Sequence, residues 1–338
     1  MIRRYVILGS AAAAAALASC SGGGNSSPTP TPTPTSSGSA TPTPTPTATY
    51  TAFPLTAAAE FSTLNATTNY TGDPAAGAVT LGVTATETFT SRVKLAATTD
   101  LTNGTFVMDE ATEESRFTGT NVTATAAPTV TEFVYRSVST ATGAAAGNFS
   151  QLEVLNNIGA ATVTTSDSLL KQLTVLSYAN WWRGDSTTGQ KRLTYAIWGY
   201  PTLSYDMLTT GTASYNARIV GRAVSVANNA TTIVRVGGTA TVSVNFATGL
   251  VTTAMNLTTL PSGGAETAYV TLNAQGAIPI GQNQFSGSLV SGGPATGTIT
   301  GAFYGSKGVN LGIVFGASGT INGADTRIVG EVVGVKQQ

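Results

Sequence analysis

From about residue 190 to the C-terminus, apolar and polar residues alternate with a period of two. Between Thr239 and Phe246, Ala240, Val242, Val244 and Phe246 fall on one side, with Thr239, Thr241, Ser243 and Asn245 on the other. Val309, Leu311, Ile313 and Phe315 form a similar stripe, and Val270, Leu272 and Ala274 alternate with Thr271 and Asn273. One apolar and one polar face per segment predicts antiparallel strands with a core on one side and water on the other. The pattern predicts strands near 192–200, 212–225, 232–247, 250–259, 266–274, 283–290, 296–304, 309–317 and 326–336. Eight or nine strands joined by Gly-rich turns read as a sandwich or an up-and-down barrel. Glycines inside the strands (Gly221, Gly301, Gly312, Gly330, Gly334) suit the close backbone approach of a small barrel. A membrane barrel would need a lipid-facing apolar band and aromatic girdles. With 7% aromatic residues, the chain favours a soluble one.

Residues 51–188 are less regular. Ala78 to Thr84 alternates, and Thr86 to Leu95 reads as a further strand. Ala161 to Thr165 reads as another, and Leu169 to Tyr178 as a strand or a short helix. The core of this part does not emerge from its pattern.

The N-terminus has a different grammar. Arg3 and Arg4 precede an uncharged apolar run from Tyr5 to Leu17, and Leu17-Ala18-Ser19-Cys20 closes it. A charged, an apolar and a small-residue region in that order make a secretory signal. The apolar run is short for about 30 Å of hydrocarbon. Cys20 stands at the lipobox position, where the thiol is acylated and becomes the first mature residue; the competing readings are an ordinary signal with a chance cysteine and an N-terminal anchor. Ser21 after Cys20, rather than aspartate, directs such a lipoprotein to the outer membrane of a two-membrane cell. Residues 20–50 continue with Ser-Gly-Gly-Gly and Pro-Thr repeats, a composition that buries no apolar surface and forms an extended spacer. Thirty residues at about 3.1 Å each reach on the order of 90 Å.

Composition narrows the chemistry. Of 338 residues, 41% are hydrophobic and 9% charged, with 38 glycines, one cysteine and no histidine. Removing residues 1–19 takes away Arg3 and Arg4, leaving 14 basic residues against 16 acidic ones, a net charge of −2. That balance gives no attraction for nucleic acid or for an anionic bilayer. With Cys20 lipidated, neither disulfide nor thiolate chemistry remains. Lacking histidine, the chain excludes Ser-His-Asp hydrolases, His-ligated zinc enzymes and His-ligated haem. No cofactor or metal is expected. Asp109, Glu110, Glu113 and Glu114, followed by Arg116, lack the alternate spacing and glycine turn of a calcium loop and read as a solvated hairpin tip. Trp181-Trp182-Arg183 has the composition of an interaction hot spot and equally of an interdomain packing plug, the simpler reading. Tyr200 and Tyr205, flanking Pro201, are candidates for a ligand-contacting loop at the barrel mouth.

Gly301-Ala302-Phe303-Tyr304-Gly305, Leu311-Gly312-Ile313-Val314-Phe315-Gly316 and Arg327 to Lys336 follow one another at the C-terminus. Upstream come Leu193 to Tyr200, Gly211-Thr212-Ala213-Ser214-Tyr215 before Val220-Gly221, and Gly238 to Phe246. In order and spacing this series resembles the β-barrel domain of transferrin-binding protein B and related surface lipoproteins. Ser306 replaces the family's proline, Asn310 its glutamate and Ile313 the second glycine of a Gly-Gly pair. The resemblance implies an all-β chain with an irregular N-terminal handle, residues 51–188, and a soluble eight-stranded antiparallel barrel, residues 189–338. It covers one handle-plus-barrel unit, where the two-lobed receptors have two. It further implies a non-enzymatic, surface-exposed outer-membrane lipoprotein that binds a protein or small nutrient ligand. Such a protein would work with an outer-membrane transporter or a surface-export partner. The competing expectation is a structural or adhesive envelope lipoprotein without a specific ligand.

If Cys20 carries the lipid, Cys20→Ala releases or mislocalises the protein without unfolding it. Cell fractionation reads this directly, and a variant that stays in the membrane fraction rules the lipoprotein reading out.

Overall fold

A computed structural model describes residues 47–100, 104–110, 113–124, 127–138, 148–160, 164–184, 189–260 and 265–338. Cys20, the signal and most of the spacer lie outside the described residues, as does the 161–163 part of one expected strand. Ten strands form the first sheet: β1 (Ala59–Thr71), β2 (Thr80–Leu81), β3 (Ala85–Ala97), β4 (Phe106–Glu110), β5 (Glu113–Phe117), β6 (Val122–Ala124), β7 (Glu132–Val138), β8 (Phe149–Leu155), β9 (Leu176–Gly184) and β10 (Gln190–Gly199). Their order is β5-β4-β3-β1-β10-β9-β8-β7-β6, with β2 paired beside β1. Eight more close a barrel in sequence order: β11 (Thr212–Ala227), β12 (Ala230–Asn245), β13 (Leu250–Thr259), β14 (Thr267–Ala277), β15 (Gln284–Leu289), β16 (Ala295–Tyr304), β17 (Asn310–Ile321) and β18 (Ala324–Lys336). The all-β expectation and the eight-stranded barrel hold. Among the described residues no helix is long and apolar enough to cross a membrane.

The strand expected at 192–200 is β10, which lies outside the barrel. It pairs with β1 and β9 at the centre of the first sheet. Alternation shows that a segment is a strand but not which sheet it joins. Ala78–Thr84 contributes only the two residues of β2, and Leu169–Tyr178 divides into a 3₁₀ turn, Leu170–Gln172, and the start of β9.

The barrel interior is filled by the expected stripes. Ala240, Val242, Val244, Leu272, Leu311, Ile313 and Phe315 all point into one apolar core. Val309 breaks the pattern: it sits before β17 begins, at the barrel rim, 41% exposed. On β12 to β14 the outer wall carries exposed Thr241, Ser243, Asn256, Thr271 and Asn273. An apolar inside with a Thr/Ser/Asn outside is the reverse of a lipid-facing barrel.

The first sheet buries both faces. Its strands curl so that Phe106, Phe133, Tyr135, Leu152, Trp181 and Trp198 enclose one core on the concave side. On the other side, Leu64, Tyr70, Leu193, Tyr195 and Ile197 pack against Val220, Val314, Val329 and Val333 on the barrel's outer wall. Gly312 permits the close approach there: a Cβ at that position would lie 2.8 Å from Ile197 and 3.0 Å from Leu176.

Inside the barrel, Gly301 yields its side-chain space to the fully buried Phe285 ring. A Cβ at 301 would stand 2.2 Å from that ring. Gly301→Val therefore overpacks the core, with an expected loss of about 1–3 kcal/mol. Adding Phe285→Leu, which vacates that volume, should restore part of the loss. Thermal melts of both single variants and the double variant check this through their non-additivity.

Candidate functional site

Strand alternation sends every second residue of β7 to β10 toward the barrel, and several of these are polar. Glu132 comes from β7, Gln151 and Glu153 from β8, Tyr178, Asn180 and Trp182 from β9, and Tyr195 from β10. The barrel wall answers with Arg222 on β11, Arg235 on β12 and Glu331 on β18. Arg222 Nη2 donates to Glu153 Oε1 at 2.6 Å, with side-chain exposures of 6% and 4%. Its guanidinium also stacks 4.7 Å from the Trp182 ring centre. Gln151 Nε2 donates to the same Glu153 oxygen at 2.6 Å. Arg235 pairs with Glu132, whose other oxygen accepts from Tyr178 Oη at 2.9 Å. Glu153, Arg222 and Glu132 are tolerated as buried charges because each is paired across the seam, Glu132 with the more exposed Arg235, and removing one partner would strand the other.

Electrostatics in the seam follow from burial. Burial pushes the Tyr178 hydroxyl well above its ordinary range, and the Glu132 carboxylate adds to this. Burial likewise raises Tyr70 to about 12. The adjacent Glu132 carboxylate raises Arg235. Glu331 is fully buried and faces the Asn180 amide, but neither of its oxygens makes a hydrogen bond of ordinary geometry. Burial first, and the Glu132 carboxylate second, push it well above the carboxylate range.

Toward solvent the seam opens into a groove of about 620 Å³. Glu132 and Arg235 form its floor, and Asp167, Arg218, Thr239 and Glu266 lie along its walls. Arg218 Nη2 donates to Asp167 Oδ2 at 3.2 Å, and the pair is part-exposed. Although burial raises the Asp167 carboxyl, hydrogen bonds from the Leu170 and Leu169 N–H groups hold it below its ordinary value. The groove thus offers fixed charges of both signs on a rigid frame, suited to a polar partner rather than a greasy one. Among the described residues no group of three or more His, Cys, Asp and Glu side chains is placed to hold a metal ion.

The residues singled out in the sequence do not converge. Trp181 and Trp182 are neighbours on a strand and so face opposite ways. Trp181 is fully buried on the concave side, with Arg183 3.6 Å from its ring centre and its Nε1 donating to Ser150 at 2.8 Å. Trp182 packs toward the barrel, and Arg183 is enclosed by Glu110 at 2.5 Å and Glu113 at 2.6 Å. The acidic group does flank the β4–β5 hairpin turn, where Glu110 pairs with Glu113, but only Asp109 and Glu114 are exposed and the other two turn to Arg183. Glu113 also holds Arg192 at 2.6 Å. Tyr200 is half-buried between Phe53 and Phe61, at 5.8 and 5.6 Å. Tyr205, 56% exposed, is the accessible member of the set. Sequence reasoning missed Glu132, Glu153, Arg222, Arg235 and Glu331. The available signal was a lone charge inside an apolar run, as in Ile328-Val329-Gly330-Glu331-Val332-Val333.

The Glu331 environment sets a pH dependence. Its folded-state carboxyl binds a proton more tightly than the unfolded chain does. The stability it contributes is full below the unfolded value of about 4.3 and is lost as pH rises toward the folded-state value. Charged and titratable neighbours in the seam are Glu132, Glu153, Arg222, Tyr178, Tyr195 and Tyr304. Glu331→Gln removes the titration while keeping the shape. Its stability advantage over the natural chain should widen from pH 4 to neutrality, as denaturant melts across that range would show.

No family model matches this chain, and no curated protein matches it in sequence. Among solved structures it is similar to intact Ap-TbpB with its N and C lobes, at 12% identity and a TM-score of 0.40. That match covers 81% of this chain and 46% of the other. It is similar to the transferrin-binding protein B of serogroup B Neisseria meningitidis, at 13% identity and a TM-score of 0.39, over 81% of this chain and 44% of that one. It is also similar to the haemoglobin receptor HpuA of Kingella denitrificans, at 13% identity and a TM-score of 0.39, over 85% and 89% of the two chains. The chain spans about half the length of the two transferrin-binding proteins.

Proposed function

We propose that this chain is a non-enzymatic outer-membrane lipoprotein, anchored through Cys20, that binds a protein or small nutrient ligand at the groove between sheet and barrel. In this reading it passes the ligand to an outer-membrane transporter. The observation that carries it is the lipobox cysteine and Pro/Thr spacer leading to a body whose two sheets are locked by a charged seam. A spacer followed by a rigid groove is an arrangement for capture rather than for turnover. The motif series shared with transferrin-binding protein B points the same way. A structural envelope role draws its support from the polar Thr/Ser outer wall of β12 to β14, which presents no distinctive chemistry.

The test uses the full lipoprotein on intact cells, with transferrin and haemoglobin as probes alongside unfractionated growth medium. Saturable capture is expected, and proteinase shaving should remove both the protein and the binding. Arg218→Glu reverses a charge on the groove wall and should weaken capture about tenfold, the scale of a contact residue in an interface. Absence of any saturable partner, together with altered envelope integrity in a deletion strain, would favour the structural role.

A further inference from the structure

Exposed apolar side chains are unevenly distributed over the body. Five of the large ones lie around one end of the barrel: Ile280 (102% exposed), Tyr205, Leu250, Val309 and Leu203. This end is defined by register, since Thr212 pairs with Asn245, Asn245 with Leu250, Leu250 with Ala277, Gln284 with Ala302, and Tyr304 with Asn310. The loops beyond those pairs are tied together. Asn283 Nδ2 donates to Thr202 O, Ile278 N–H to Gly249 O at 2.8 Å, and Lys307 N–H to Asp206 Oδ2 at 3.0 Å. Ile280 is held at the tip of a closed turn: Gln282 N–H donates to Pro279 O at 3.0 Å, and Gly281 has the positive φ of +73° that a type II turn requires at its third position. The opposite rim presents exposed Asn228, Asn229 and Asn322, with Val290 (43% exposed) as the one large exposed apolar side chain among its described residues.

The tether reaches the body at this same apolar end. Tyr50, the first aromatic residue after the spacer, donates its hydroxyl to Asp206 Oδ2 at 2.9 Å and accepts from the Leu203 N–H at 2.9 Å. It is thereby pinned to the loop that carries Leu203 and Tyr205. Twenty-nine residues lie between Cys20 and Tyr50. A Pro/Thr-rich chain of that length reaches at most on the order of 90 Å, and the rim it enters is the part of the body nearest the anchor along the chain. Lys307 and Lys336 also lie at this rim, where the Asp206 carboxylate accepts from the Lys307 N–H and Lys336 Nζ donates to the Lys307 carbonyl.

We propose that this rim docks on the lipid surface, with Ile280, Tyr205 and Leu203 seated at the headgroup boundary. Each of these side chains alone would bind lipid weakly. Because the anchor makes docking intramolecular, a weak preference is enough. Docking would set the orientation of the body, with the opposite rim outward and the groove beside Arg218 open to the side. The inference rests on lipidation at Cys20.

The test reconstitutes the mature lipoprotein into phosphatidylethanolamine/phosphatidylglycerol vesicles. With Cys20 acylated, a single new thiol can be labelled with an environment-sensitive fluorophore, at Gln282→Cys on the apolar rim or Ser291→Cys on the far rim. Spin-labelled lipids should quench the 282 probe at least about twofold more than the 291 probe, the contrast expected of an interfacial against a solvated loop. Adding Ile280→Asp and Tyr205→Asp, both at exposed positions, should bring quenching at 282 down to the 291 level. Vesicle flotation reads the anchor separately. Protein that floats with equal quenching at both probes overturns docking and leaves the anchor standing. Protein that does not float overturns both. A 282 probe insensitive to lipid but shielded by transferrin or haemoglobin also overturns docking, and assigns the rim to a protein ligand.

Discussion

A sheet with two apolar faces cannot stand alone in water, and the architecture of this chain follows from that constraint. The first sheet meets it on one face by curling around its own aromatic core of Phe106, Phe133, Tyr135 and Trp198. On the other face it needs a second body, and the outer wall of β11, β16, β17 and β18 provides one. The barrel therefore has two kinds of strand. Its β12, β13 and β14 alternate between core and water, whereas β17 and β18 are buried on both faces over most of their length.

The seam between the two sheets is not a plain apolar interface. Arg222 with Glu153 and Arg235 with Glu132 cross it, and Glu331 lies between them without a charged partner. Such pairs contribute little net stability compared with an apolar isostere, because desolvation offsets their attraction. Their effect is geometric. Each pair is satisfied in one relative placement of sheet and barrel, so slippage of one over the other would leave a buried charge alone. Fixing that placement also fixes the groove where the seam reaches solvent, bounded by Asp167 and Arg218.

The two ends of the barrel then differ in character for a simple reason. Turn residues at the far rim are chosen for backbone conformation: Asn228, Asn229 and Asn322 all adopt positive φ. The loops at the near rim receive the chain from Tyr50 and carry Leu203, Tyr205 and Ile280 outward on hydrogen-bonded frames. None of these three is needed for the barrel core, so their exposure is a property of the surface rather than of packing.

Much of the barrel was legible from the chain because alternation with one wet face has a single interpretation. Each of the eight strands from Thr212 to Lys336 begins and ends within a few residues of its expected bounds. The Leu17-Ala18-Ser19-Cys20 order and the Pro/Thr repeats behind it lie outside the described residues and stand as patterns of the sequence. What the chain did not disclose was partnership. It could not show that Gln190–Gly199 joins the first sheet, because a strand's pattern records which faces are buried and not what buries them. It could not show that Trp181 and Trp182 serve different cores, or that Glu110 and Glu113 turn inward to Arg183. The charged seam was the least legible, since Glu132, Glu153, Arg222 and Glu331 are far apart in sequence and meet only when two sheets close on each other. Sequence by itself determined strands and turns, which depend on near neighbours. Tertiary structure decided the seam, the groove and the apolar rim, because burial and charge pairing depend on residues that only the closed fold brings together.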